Sequence, residues 1–454
     1  MSVFRMIFLS RRLSGLAAAT ALVLGAAFGS PAHATQIKRV VSSMGIVAWL
    51  VEEHTVPLVS INFAFFGGAA NDPPERRGVG NMMAALLDEG AGDLDSHAFQ
   101  EREEELAMRI GFDVGRDNLY GELKTLTRNR DDAVAMLALA INSPRFDEEA
   151  VERIRAQILT GIRRRSQDPE TLVSLQWSRI AFGDHPYGQP VSGDETTVAA
   201  ITRADLLAAK GQLMSRNQLR IGVVGDISEA ELGPVLDRLF GALPATTALA
   251  PVATATVNEG PRRAIIDMNI PQTVIQFGHE GIARDDPDFL TAYIVNHILG
   301  GGTFSSRLYE EVREKRGLAY SVSTGIYPLD KAALFVGSVA TKNDRAAETL
   351  ATIEAEIARL AEDGPSKEEL ADAKSYLTGS YALRFDTSDK IAGQLVAIQL
   401  DRLGIDYIDK RNAMIEAITL EDVRRVARRL LETGKLITVI AGRPKGLAPI
   451  APVQ

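Results

Sequence analysis

Residues 299–322 read Leu-Gly-Gly-Gly-Thr-Phe-Ser-Ser-Arg-Leu-Tyr-Glu-Glu-Val-Arg-Glu-Lys-Arg-Gly-Leu-Ala-Tyr-Ser-Val and hold two side chains suited to act on a peptide, Arg313 and Tyr320. A guanidinium presents several fixed N–H donors to peptide carbonyls or to a chain carboxylate. A phenol can donate to the oxyanion that forms when water adds to a carbonyl, and one such donor contributes about 3 kcal/mol. Spacing alone favours a plainer reading, with Arg313 a helix-end charge and Tyr320 a half-buried strand residue. Other chemistries drop out. The chain has no cysteine, which removes thiolate nucleophiles, disulfides and cysteine zinc sites. No G-x-S-x-G elbow occurs. The three glycines at 300–302 lack the lysine and the strand context of a phosphate loop, and read as a plain loop. Of six histidines, His33 lies in a leader segment. The others, His54, His97, His185, His279 and His297, include no pair at the helical spacing that metal ligands use.

Arg313 and Tyr320 need elements to hold them. Residues 306–315 have the period of a helix, with Thr303 or Ser305 as its cap and Gly317 just past its end. Leu308 and Val312 form its apolar stripe, and Glu311 and Lys315 pair on its outer face. Further back, 37–53 read as a hairpin and 57–66 as an alternating strand. Helical periods follow at 78–89, 129–142 and 147–166, and a strand at 219–224 closes the unit. Much of this recurs at a nearly constant offset. The run from Pro57 returns at Pro271, Asp72-Pro73 at Asp286-Pro287, and Leu159-Thr160-Gly161 at Leu377-Thr378-Gly379. Ile201-Thr202 with Asp205 returns as Ile418-Thr419 with Asp422, and Gly225 as Gly442. Five matches in register indicate two copies of one unit. Mixed helices and strands with hairpin-length turns point to α+β sandwiches rather than a doubly wound parallel sheet.

The string from Gly300 to Tyr320 resembles the Arg/Tyr segment of the pitrilysin-like M16 zinc metallopeptidases, of the M16B type. Active members of that family hold zinc through an inverted HxxEH motif on a helix, with a further Glu ligand well downstream. Counting from the 57–66 strand and Asp72-Pro73, the motif positions fall on Asn81, Ala84 and Ala85, and the distal Glu position on Gly161. Two alanines and a glycine offer no side-chain ligand, and an asparagine amide is a poor one. The Asn-Ala pair of the family's substrate-binding edge strand is also missing from 111–118. The resemblance implies two homologous α/β-sandwich domains forming half of a clamshell chamber. It implies no cofactor in this chain, with zinc held by a homologous HxxEH-bearing partner subunit. Arg313 and Tyr320 would then bind and polarise unfolded peptide substrates in trans. The alternative is a peptide-holding or scaffold homologue with no catalysis, like the family's core subunits in respiratory complexes. An independent peptidase with a relocated metal site would need distant histidines to converge.

Composition frames these expectations. Arg5, Arg11 and Arg12 form a positive n-region, 16–28 an apolar core, and Ala32-His33-Ala34 a cleavage site, so residues 1–34 read as a signal peptide. Cleavage after Ala34 implies export to the periplasm with no membrane span left behind. The expected division is a first domain over 35–242, a linker over 243–257 rich in Ala, Thr and Pro, and a second domain over 258–446. A net charge of −9 argues against nucleic acid and anionic membranes as partners. The tract Arg163-Arg164-Arg165 reads as a solvated helix face, and His185-Pro186-Tyr187-Gly188 as a structural loop resembling one in the family.

Overall fold

The computed structural model describes residues 36–258 and 260–450; the signal peptide expected at 1–34 lies outside them. The first sheet is built from β1 (Lys38–Val41), β2 (Val47–Glu52), β3 (Leu58–Phe66), β4 (Arg109–Val114), β5 (Asn118–Leu126) and β6 (Leu219–Gly225), in the order β1-β2-β6-β3-β5-β4. The second uses β7 (Arg262–Asp267), β8 (Gln272–Glu280), β9 (Ala319–Pro328), β10 (Ala333–Lys342) and β11 (Ile437–Gly442), in the order β7-β11-β8-β10-β9. Five strands of the first sheet, β2-β6-β3-β5-β4, trace the same path as the whole of the second. In both, the first neighbours (β2–β6 and β7–β11) are parallel and the rest antiparallel. The fold is α+β with two homologous sandwich domains.

The repeated residues explain themselves locally. Thr202 with Asp205 and Thr419 with Asp422 are capping boxes that open the helices Arg203–Leu213 and Leu420–Leu430. Gly225 and Gly442 end β6 and β11 with φ of +139° and +135°, a region that side chains rarely enter. Alternation along β3 sends Val59, Ile61, Phe63 and Phe65 into the first core, and along β8 sends Ile275 and Phe277 into the second.

Each sheet turns its second face toward the other half and is covered from there. Helix Pro169–Phe182 leaves the first half and lies on β11 and β8, where the buried Trp177 indole donates to the Ile437 carbonyl at 3.0 Å. Helix Ser388–Leu400 makes the reverse journey onto β6 and β3, and Gln399 donates to the Ile221 carbonyl at 2.9 Å. The 243–257 stretch is extended and bonded to both halves. Asn71 Nδ2 donates to the Ala250 carbonyl at 2.9 Å, and the Ala255 N–H to the Lys331 carbonyl at 2.8 Å. The loop around Tyr187 ties the halves again: its hydroxyl donates to Asp117 and accepts the Lys331 N–H at 3.0 Å. Among the described residues no helix is long and apolar enough to cross a membrane.

Candidate functional site

The Arg/Tyr segment departs from the helix expected over 306–315. One α-turn at Arg307 and Leu308 widens into a π-helix, Tyr309–Glu314, and Lys315 N–H bonds back five residues to Glu310. The expected Ser305 cap is not made; its hydroxyl donates to the Gly302 carbonyl at 3.1 Å. The three glycines are not a plain loop either, because Gly300 and Gly301 close a second π-helical turn, His297–Gly301. Leu308 and Val312 are fully buried, as their stripe requires, and Gly317 ends the helix at φ +58°. Glu311 is not on the outer face. It is 6 % exposed and accepts from Lys315 at 2.7 Å and from Arg316. Those two cations, Arg316 first, hold its carboxyl down to about 2. The correction has a geometric cause, since widening the helix rotates residues away from the face that a period of 3.6 assigns.

The widened turn brings Arg313 and Tyr320 together. The Arg313 guanidinium lies 4.8 Å from the centre of the Tyr320 ring and 4.7 Å from that of Tyr309. Phe304 packs edge-on against the other side of Tyr309, with centroids 5.1 Å apart. Tyr309 is buried, Arg313 half-buried, and Tyr320 is 82 % exposed at the start of β9, an edge strand. The arginine is thus held by ring faces, and among the described residues its one ion pair is a 3.7 Å approach to Glu314. Tyr309 and Phe304 escaped the sequence reading. The signal for Tyr309 was available, because it stands four residues before Arg313 on one helical face.

The four degenerate positions lie in the first half. Asn81 and Ala84 belong to helix Val79–Ala84, which Ala85 ends, and Gly161 to helix Glu148–Arg165; the two helices pack on each other. Ala84 is buried, while Asn81, Ala85 and Gly161 are half-buried. A Cβ on Gly161 would sit 3.3 Å from the Arg165 guanidinium, which also donates to Ser192 at 3.0 Å. An amide, two methyls and a neighbouring cation do not fit a divalent metal. Arg165 is therefore turned inward rather than solvated, unlike Arg163, which pairs at the surface with Glu195 at 2.8 Å. The histidines do not converge. His54 bonds Asp226 at 2.8 Å, His97 is exposed, His185 bonds the Ala253 carbonyl, His279 stacks on Phe335 and His297 on Tyr376. Among the described residues no three His, Asp or Glu side chains are placed to hold a metal.

A cavity of about 840 Å³ lies between β4 and β5 of the first sheet and helix Ser388–Leu400 of the second half. Gly111, Asp113, Gly115 and Asn118, where the family's edge-strand pair is missing, line it.

Comparison with known proteins fits this architecture. Residues 47–195 match the family described as Insulinase (Peptidase family M16), and residues 200–377 the Peptidase M16 inactive domain. A protein of Helicobacter pylori named non-peptidase homolog YmxG is 26 % identical over 74 % of this chain and 78 % of its own. An uncharacterized zinc protease of Mycobacterium tuberculosis is 30 % identical over 66 % of this chain and 69 % of its own. The crystal structure of a peptidase M16 inactive domain from Pseudomonas fluorescens superposes with a TM-score of 0.85 at 29 % identity, covering 90 % of this chain and 98 % of that one. The paired sheets, the Arg/Tyr segment and these matches place the chain in the M16 peptidase family, as a member that carries the family's inactive domain.

Proposed function

We propose that this chain is the catalytically incomplete subunit of a two-subunit M16 peptidase. In this reading Arg313 and Tyr320 bind and polarise a peptide whose scissile carbonyl is activated by zinc in a homologous HxxEH-bearing subunit. The observation that carries it is the Arg313–Tyr320 stack: an ordered cation and phenol presented outward, in a chain whose described residues hold no metal group. Stacking fixes the plane of the guanidinium and leaves its N–H edges free for carbonyls. The fit of Asn81, Ala84, Ala85 and Gly161 to the family's zinc positions supports the division of labour. Substrates are unfolded peptides, and the signal-peptide pattern read at 1–34 supports a periplasmic site of action. A second reading, a peptide-holding scaffold, draws on the 840 Å³ cavity, which one chain forms without any partner.

The test is peptide hydrolysis by the mature chain alone and mixed with its HxxEH-bearing homologue, with zinc content measured on both. Activity only in the mixture, lost on Arg313→Ala or Tyr320→Phe, is expected. Activity of the mixture that ignores both substitutions favours the scaffold. Chelator-sensitive hydrolysis by this chain alone overturns the proposal.

A further inference from the structure

A cavity of about 350 Å³ opens between the β1–β2 turn and the start of β6, and its wall carries Arg216 and Arg220 but no carboxylate. The only hydrogen bonds these guanidiniums make among the described residues go to backbone carbonyls: Arg216 to Met44 at 3.3 Å and Arg220 to Leu219 at 2.7 Å. The Arg216 Nε is buried and has no hydrogen-bond partner among the described residues. A buried donor left without an acceptor is costly unless something else completes it.

A third guanidinium comes from the other half. Arg220 lies 4.8 Å and Arg402 5.5 Å from the centre of the same Phe66 ring. Neither has an acidic partner among the described residues, and two like charges on one ring repel. Burial first, and then the charge of Arg402, hold the Arg220 guanidinium below its ordinary value. Arg402 reaches this spot at a backbone cost. It follows helix Ser388–Leu400 at φ +56°, the left-handed region where a glycine is usual. Side chains at this parity of β6 face helix Ser388–Leu400: Gly222 touches Ala392, and Val224 packs with Ala392 and Leu395. Arg220 and Arg402 therefore stand together on the inner face, where the halves meet, and Arg216 shares the cavity wall with Arg220.

We propose that Arg216 and Arg220, with Arg402 beside Arg220 at the Phe66 ring, form an oxyanion site, and that its ligand is the terminal carboxylate of a peptide. This rests on the peptide-binding reading above and names which end of the peptide this chain holds. Paired guanidiniums suit a carboxylate fork. The cavity is too large for an inorganic anion alone, and Met44, Ile46, Val47 and Leu219 give it an apolar wall for the last side chain.

The test is calorimetric binding of a short unstructured peptide ending in Leu, as the free acid and as the C-terminal amide, with inorganic phosphate as a second probe. The free acid is expected to bind at least about tenfold tighter, a difference of about 1.4 kcal/mol. That advantage should vanish in Arg220→Gln and shrink in Arg402→Gly, which also relieves the left-handed backbone and so folds. Equal binding of acid and amide overturns the site while the peptide-holding reading survives. If only phosphate binds, raising the melting temperature in an Arg220-dependent way, the terminal-carboxylate assignment is overturned and the anion is a free one. If neither probe binds, or binding ignores both substitutions, the site itself is overturned.

Discussion

At the scale of single residues, Tyr320 and Glu311 show how position separates function from stability. Tyr320 is 82 % exposed and contributes little packing. Tyr320→Phe should leave the denaturation midpoint within about 0.5 kcal/mol of the parent. Under the proposed function the same change should lower partner-dependent kcat by roughly 100-fold, since in that reading the phenol is one donor to a developing oxyanion. Stability and turnover measured on one preparation check both halves of that statement. Glu311 is the opposite case. Its carboxyl, near 4.5 in an unfolded chain, is held down to about 2 by Arg316 and Lys315. A depressed carboxylate adds stability above about pH 4.5, and that stability is lost as the pH falls from 4.5 toward 2. Glu311→Gln should cost about 1.5–3 kcal/mol at pH 7 and flatten the acid limb of the profile. Urea titrations at pH 7 and near pH 3 read both effects, and an unchanged acid limb would contradict the assignment.

At the scale of elements, the exchanged helices join the halves. Trp177 is fully buried, bonded to Ile437 and lodged against Gly278 of β8. Trp177→Ala should cost about 3–5 kcal/mol, visible as a lowered urea midpoint. Gly222 of β6 admits the other helix so closely that a Cβ would lie 2.4 Å from the Ala392 carbonyl. Gly222→Val should therefore lift helix Ser388–Leu400 and destabilise the chain. Gly211→Ala, in helix Arg203–Leu213 with nothing within 4 Å of the new methyl, should stabilise by up to about 1 kcal/mol. A Gly222→Val protein as stable as the Gly211→Ala control would refute the close approach. The capping boxes and the Gly317 end could be read in the sequence, because each is a bond between residues a few positions apart. The π-widening could not, because it depends on how the turn packs against β9 and the second core.

At the scale of the whole molecule, neither half is a complete sandwich. The first sheet lacks a cover without helix Ser388–Leu400, and the second lacks one without helix Pro169–Phe182. Separate expression of residues 36–242 and 258–450 should give aggregating fragments, since each exposes an apolar sheet face and an unpartnered helix. Coexpression should return a soluble complex that copurifies. Two fragments that are each soluble, monomeric and cooperatively folded would show that the exchange adds little. The same reciprocity makes the inner face a joint surface, which is why Arg402 from one half can stand beside Arg220 from the other.

Sequence alone determined the fold class, the duplication, the Arg/Tyr segment and the family resemblance. Those signals are local: alternation along strands, caps three residues apart, a string of consecutive residues, a count of ligand types. Tertiary structure decided what each element packs against. An apolar stripe on 169–182 or 388–400 says that a helix is buried, but not that it crosses to the other half's sheet. It also decided the inward turn of Glu311 and Arg165, the ring stack around Arg313, and the meeting of Arg220 and Arg402 over one ring. Each depends on which surfaces are brought together, and contacts between residues far apart in the chain leave no periodic trace in it.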